Sequence, residues 1–350
     1  MTAVSAAYLV AYVTVLFFVL SLLLLLMIAE LSGATWLQPW RRHADALIGT
    51  LPVLAVLFLP IVVMSRLLYP WLTPGSLPAS VRAIVAARSP YLTPAFALAR
   101  TVVYWAVWIG VGESLRSLSM QRDATRLSEA NAARRLRVLT AAGIPLVALT
   151  VTFASFDWMM STDASWVSSI YGLYVFAGGL VAALALLVVI ASRRARTGSE
   201  GEGASESLDA LGKLLLMAVL LWGYVAYMQY LVIWIADLPS EAGWYVLRSR
   251  DGWGGLAIVL VFGHFALPFL LLLARSTRQS ATRMQALGLW MLLMHYLDVY
   301  WLLAPSLGTS TPAGRVWEVL MLILVVVVTV AGARWRSPRD RFFRSAISRT

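Results

Sequence analysis

Long apolar stretches recur along this chain, and they constrain its fold more than any other feature. Each is about 20 residues long, which lets an α-helix cross about 30 Å of hydrocarbon. Hydrophobic residues make up 60% of the 350 residues and charged residues only 13%. We therefore predict an all-α polytopic membrane protein, a single integral membrane domain over residues 1–350. Its roughly nine transmembrane helices are expected near 7–29, 46–68, 94–113, 139–159, 166–192, 208–236, 255–274, 283–304 and 314–334.

Lysine and arginine are distributed unevenly between the two sets of connecting loops. One set, together with the C-terminal tail, holds 21 of the 28 basic residues, and the opposite set holds six. Cytoplasmic loops are enriched in these residues, so we expect the N-terminus outside and the C-terminus in the cytoplasm of a bacterial inner membrane. The first span follows no positive charge or cleavage-like site, and we expect it to be retained.

Two segments differ in composition from the apolar spans. Residues 195–211 are rich in glycine, serine and glutamate, which predicts a flexible cytoplasmic linker. Residues 335–350 form a basic cytoplasmic tail, which is expected to lie on anionic lipid. The net charge of +11 comes largely from such positive-inside positions, so it does not indicate nucleic-acid binding.

The chain contains no cysteine. This excludes disulfides, thiolate metal sites, iron–sulfur ligation and a CxxCH haem attachment within it. If the protein belongs to a redox complex, its clusters and c-type haems must be held by other chains.

Two histidines and one aspartate lie inside predicted adjacent antiparallel spans. His264 and His295 are expected at similar depth, and Asp298 is three residues after His295, on the same helical face. Histidine titrates near neutral pH, so His295 and Asp298 could pass a proton. Three interpretations stay open: an interhelical hydrogen-bond clamp, a proton pathway or quinone contact, and a haem b with both histidines as axial ligands.

Arg100 is a charge near the beginning of the third span. An arginine there must reach the headgroups, pair with an acid or stack on aromatic rings. Asp157 is predicted at a similar depth in the next span, and we expect it to be the partner of Arg100. Simple extension of Arg100 to the headgroups is the alternative.

The fifth and sixth spans carry further polar and small residues. Lys213 is expected at the inner end of the sixth span and Gln229 near mid-membrane, where an interhelical hydrogen bond is favoured over ligand contact. Gly178 and Gly179 are each followed four residues later by alanine. This small-residue spacing is typical of close helix packing.

Seven stretches of the chain, in order, resemble one family. The most specific is FASFDWMMSTDASWVSSIYGLYVFAGG, at Phe153–Gly179. The chain is similar over nearly its whole length to the F subunits of bacterial alternative complex III, which are related to the NrfD/polysulfide-reductase membrane anchors. The other stretches are ELSGATWLQPWRRHADAL, LPVLAVLFLPIVV with LLYPW, RSPYLTPAF with SLRSLSMQRD, LGKLLLMAVLLWGYVAYMQYLVIWIADLP, HFALPFLLLLAR and HYLDVYWLLAP.

This resemblance implies a core of two four-helix bundles with peripheral helices. It implies a structural subunit of a quinol:electron-acceptor oxidoreductase, itself without a redox cofactor, and leaves proton conduction open as a second role. The expected partners are a multihaem cytochrome c, an iron–sulfur protein and a sister NrfD-like subunit. The sister subunit is a better candidate for the quinol pocket than this chain. The polar positions that carry over are Asp157, Lys213, Gln229, His264 and Asp298. Quinone binding to this chain itself stays possible.

Two other function classes remain open from the sequence. A secondary transporter would be favoured by broken helices and an inverted repeat, but no clear internal repeat is found. A free-standing haem b quinol oxidoreductase would use the two intramembrane histidines.

Overall fold

The computed structural model describes residues 2–34, 36–123, 129–197, 204–308 and 312–336, and no strand occurs in this part of the chain. The first helices are α1 (Thr2–Leu31), α2 (Arg41–Ile48), α3 (Leu51–Leu57), α4 (Leu59–Val63), α5 (Ser65–Leu68) and α6 (Ala79–Ala87). They are followed by α7 (Pro94–Asp123), α8 (Glu129–Trp158), α9 (Tyr171–Arg196), α10 (Ala204–Ala236) and α11 (Pro239–Leu247). The last are α12 (Trp253–Val259), α13 (Leu267–Leu273), α14 (Arg275–Arg278), α15 (Ala281–Leu307) and α16 (Pro312–Arg336).

Within the described ranges, nine helical segments are long and apolar enough to cross a membrane. They coincide with the nine predicted spans, so the prediction of an all-α polytopic membrane protein is confirmed. We call the side of the bundle on which α1 begins the N-terminal face. The opposite side, on which α16 ends, is the C-terminal face.

Two of the spans are not continuous α-helices. The second consists of α2, α3 and α4, and the breaks coincide with Pro52 and Pro60 at the starts of α3 and α4, where proline cannot donate to the preceding turn. The seventh contains a π-helical segment, Leu260–Ala266, between α12 and α13. Pro268 follows it and likewise lacks the N–H that would continue the ladder. The indole of Trp290 donates instead to the carbonyl of Gly263, at 2.7 Å.

The helices α1 and α9 form the centre of the bundle and are almost entirely buried. α9 packs against α15, α10, α1 and α8, whereas α1 also packs against α16. A Cβ added at Gly179 would lie 2.7 Å from the carbonyl oxygen of Phe17 on α1, so only glycine permits this approach. The packing role predicted for this small-residue spacing is confirmed. By contrast, α7, α16 and the α12–α13 span keep most of their surface exposed.

The predicted linker over residues 195–211 was too long. Helix α9 continues to Arg196 and α10 already begins at Ala204. Leu208 and Leu211 are buried in the bundle, and this burial overrides the glycine- and serine-rich composition around them. Residues 198–203 lie outside the described residues, as do 337–350 of the predicted basic tail.

Candidate functional site

A buried carboxylate lies where three helices meet. Asp298 of α15 is 1% exposed. Its Oδ1 accepts a hydrogen bond from the Tyr174 hydroxyl of α9 at 2.7 Å, and its Oδ2 accepts one from the Trp222 indole of α10 at 3.0 Å. Both donors are neutral, so the contacts described for this carboxyl group include no cation. A buried charge is costly unless it is paired, which makes Asp298 a position where a proton can bind and leave.

Gly178 gives this carboxylate its space. A Cβ at Gly178 would lie 3.2 Å from Oδ2 of Asp298 and 3.5 Å from Nδ1 of His295. The two side chains of α15 therefore approach α9 at the same point. The methyl group of an alanine at position 178 would crowd the side chains of Asp298 and His295.

His295 and Asp298 lie on one side of α15, as their spacing predicted, but they have different hydrogen-bond partners. The Nε2 atom of His295 faces the backbone carbonyl of Thr14 on α1, at 3.4 Å. Its Nδ1 atom has no hydrogen-bond partner among the described residues. The spacing brings the two residues to one side of α15, but Tyr174 and Trp222 are the groups that donate to the carboxyl oxygens.

His264 lies in the π-helical segment, with its ring stacked on Trp222 at a centroid distance of 4.0 Å and an interplanar angle of 24°. Trp222 donates in turn to Asp298 of α15, so His264 lies beside the same polar group as His295, in agreement with their expected similar depth. Within the described part of the chain, neither ring nitrogen of His264 has a hydrogen-bond partner.

The arrangement does not fit a haem between the two histidines. The Nε2 atom of His295 is directed at the Thr14 carbonyl. Neither histidine lines the large cavity described below, so that cavity does not place a haem between them.

The predicted pair of Arg100 and Asp157 is confirmed. Arg100 donates from Nε and Nη2 to the two carboxylate oxygens of Asp157, both at 2.8 Å. The Tyr104 hydroxyl donates to the same carboxylate at 2.8 Å, and the guanidinium lies 3.8 Å from the Tyr91 ring centroid. This bidentate geometry between α7 and α8 holds the two helices together rather than releasing Arg100 to the headgroups.

The remaining predicted site residues lie apart from Asp298. Lys213 is largely exposed and pairs with Asp209 at 2.7 Å. Gln229 is buried, but it accepts from Ser168 at 3.4 Å and also contacts Tyr245, both of which belong to the connections on the N-terminal face. These partners place Gln229 toward the N-terminal face of the bundle, whereas its depth in the membrane stays a prediction. The seven predicted residues thus form separate groups: Arg100 pairs with Asp157, whereas His264, His295 and Asp298 share a second group.

Arg248 lies in a predicted loop, and its position there did not indicate the structural role that it has. It is 1% exposed and donates to the carbonyls of Trp301 and Leu302, at 3.1 and 2.5 Å. Pro305 lies within α15 and has no N–H for the Trp301 carbonyl four residues earlier. Arg248 therefore replaces the missing donor. A proline inside a predicted span was the signal that such a donor is required.

A cavity of about 910 Å³ lies next to the side chains that donate to Asp298. Tyr174 and Trp222 form part of its wall, together with the aromatic stripe of α10 at Tyr227 and Tyr230. Its volume is in the range of small-molecule sites. Among the described residues, no group of three or more histidine, aspartate or glutamate side chains could hold a metal ion.

Comparison with protein-family models and with curated proteins found no match for this chain.

Proposed function

We propose that this chain is an integral membrane subunit of a quinol:electron-acceptor oxidoreductase of the alternative complex III type. It lies in a bacterial inner membrane with its N-terminus outside and its C-terminus in the cytoplasm. It stabilises the complex and contributes a proton-conducting group, while partner subunits hold the c-type haems and iron–sulfur clusters. The seven ordered stretches of sequence resemblance support the family.

The observation that carries the proton-conducting role is the environment of Asp298. This carboxyl group is buried among three helices and faces two neutral donors, the Tyr174 hydroxyl and the Trp222 indole. Acidic residues within membrane spans are rare, and they mark ion or proton paths because their burial is expensive. The unpartnered Nδ1 of His295 near the same glycine adds a second group that can exchange a proton.

Asp298→Asn tests this role. The amide can accept from Trp222 through its oxygen and donate to the Tyr174 oxygen, so we expect the complex to assemble normally. Proton release per quinol oxidised, measured in proteoliposomes, should fall. Glu206→Gln is the matched control, because it makes the same carboxyl-to-amide change at an exposed position near the start of α10, and it should leave the stoichiometry unchanged. An unchanged stoichiometry in Asp298→Asn would contradict the role.

Co-purification tests the assignment to a complex. A C-terminally tagged chain is extracted from native membranes in mild detergent, and the proteins that accompany it are identified. We expect a multihaem cytochrome c, an iron–sulfur protein and a second NrfD-like subunit. A chain that purifies alone and colourless would contradict the assignment.

A secondary transporter is the second candidate, and one observation favours it. The seventh span is interrupted by a π-helical segment, Leu260–Ala266, and residues Leu260, Val261 and Phe265 of this segment line the cavity. Interrupted helices beside a cavity are a feature of transporters. Solute uptake by the isolated chain in proteoliposomes would support this function, whereas obligate assembly with redox subunits would oppose it.

A further inference from the structure

The cavity beside α10 extends over a length that corresponds to one leaflet of a bilayer. Its wall includes both Leu220 and Asp237, which are 17 residues apart, so it extends roughly 25 Å at about 1.5 Å per residue. Half of a bilayer, including its headgroup layer, measures roughly 20–22 Å. A molecule lying along this cavity would have the length and direction of a membrane lipid.

The cavity is open on the side of the bundle that faces the membrane. Tyr224, Tyr227 and Val261 line it, and each is more than half exposed. They belong to α10 and to the π-helical segment of the neighbouring span. A hydrocarbon chain can therefore enter sideways between these two spans without crossing the N-terminal face.

Two opposite charges lie at the end of the cavity on the N-terminal face. Arg248 is buried, donates to backbone carbonyls and Ser306, and forms no ion pair with a described residue. Its guanidinium lies 3.4 Å from the Trp244 ring centroid. Asp237 is exposed, lines the same cavity, and likewise forms no ion pair with any residue that the structure describes. Burial lowers the pKa of Arg248 to about 9, although the carboxylate of Asp163 acts in the opposite direction, so this cation is desolvated without a direct ion pair.

We propose that this cavity binds one phosphatidylethanolamine molecule of the leaflet on the N-terminal face. The phosphate is placed toward Arg248, the ammonium group toward Asp237, and an acyl chain along the aromatic wall of α10. A zwitterionic headgroup matches one cation and one anion, whereas phosphatidylglycerol supplies no ammonium group for Asp237. A neutral quinone carries no charge for either residue. The proposal does not depend on the redox role above.

Native mass spectrometry of the detergent-purified full-length protein tests the proposal. The delipidated protein is titrated separately with phosphatidylethanolamine, phosphatidylglycerol and a short-chain ubiquinone. We expect one phosphatidylethanolamine to bind about two- to fivefold more tightly than phosphatidylglycerol, the range expected for a partly exposed ion pair. Asp237→Asn should remove this preference. Asn tolerates the left-handed backbone at this position, where φ is 45°, so the variant should fold.

A second variant separates binding in the cavity from general adsorption of lipid. Ala257 lines the cavity, and Ala257→Trp should reduce phosphatidylethanolamine binding at least tenfold. Ala106→Trp is the matched control, because Ala106 is exposed on α7, away from the cavity, and should leave binding unchanged. The proposal is overturned if phosphatidylglycerol binds as tightly as phosphatidylethanolamine in the unaltered protein. It is also overturned if Ala257→Trp binds normally, or if ubiquinone occupies the cavity and phosphatidylethanolamine cannot displace it.

Discussion

The hydrogen bond from Arg248 to the Trp301 carbonyl leads to a quantitative prediction about stability. Pro305 leaves the Trp301 carbonyl without its helical donor, and Arg248 supplies a replacement from Nε at 3.1 Å. Arg248→Met removes that donor while keeping an extended apolar side chain. The carbonyl is then buried and unsatisfied, since no N–H of α15 can reach it.

The expected magnitude follows from that unsatisfied acceptor. Leaving a buried acceptor without a partner costs about 1–3 kcal/mol. We expect Arg248→Met to lower the free energy of unfolding by at least this amount. In a Pro305→Ala background, the N–H of residue 305 can donate to Trp301, so the same substitution should cost less. The double-mutant cycle should therefore show a coupling energy of about 1–3 kcal/mol.

The four proteins of this cycle can be compared by reversible unfolding in mixed micelles, followed by tryptophan fluorescence. Pro145 provides the matched control, because it is an exposed proline inside α8, whereas Arg248 donates to α15 and to Trp244. Arg248→Met and Pro145→Ala should be additive within about 0.5 kcal/mol. Additivity of Arg248→Met with Pro305→Ala would refute the replacement-donor argument, as would an equal coupling with Pro145→Ala.

Two further predictions concern the bundle. Arg100→Gln leaves the buried carboxylate of Asp157 without its cation and should destabilise the protein by about 3–5 kcal/mol, whereas a loss below 1 kcal/mol in the same unfolding assay would mean that the pair contributes little. Gly179→Ala should destabilise by about 1–3 kcal/mol because its Cβ would meet the backbone of Phe17, while Gly110→Ala, with open space around it, should be neutral or stabilising; equal effects of the two would contradict the close approach of α1 and α9.

The grouping of the polar residues shows which contacts could not be predicted from the sequence. Spacing along one helix placed His295 and Asp298 on the same face, but it could not decide which side chains of other helices would reach the carboxyl group. Tyr174 and Trp222 come from α9 and α10, at sequence separations of 124 and 76 residues. Contacts over such distances depend on how the helices pack, which a single sequence leaves open.

The partners of Gln229 were also not predictable from its position in the sixth span. They are Ser168 and Tyr245, which belong to the connections on the N-terminal face. Counting residues along one helix does not show which connection folds back onto it. The cavity was not predicted at all, because a cavity is space between helices and leaves no pattern within one of them.

The sequence by itself determined the nine long apolar helical segments of the described ranges, because crossing hydrocarbon requires about 20 consecutive apolar residues whatever surrounds them. It also predicted the pairing of Arg100 with Asp157, with extension to the headgroups as the alternative, because an unpaired charge at that depth is expensive. Only the tertiary structure decided that α1 and α9 are central, that Arg248 donates to α15, and that Asp298 faces neutral donors. Those features depend on which side chains from distant segments fill the same space, and packing between helices fixes them.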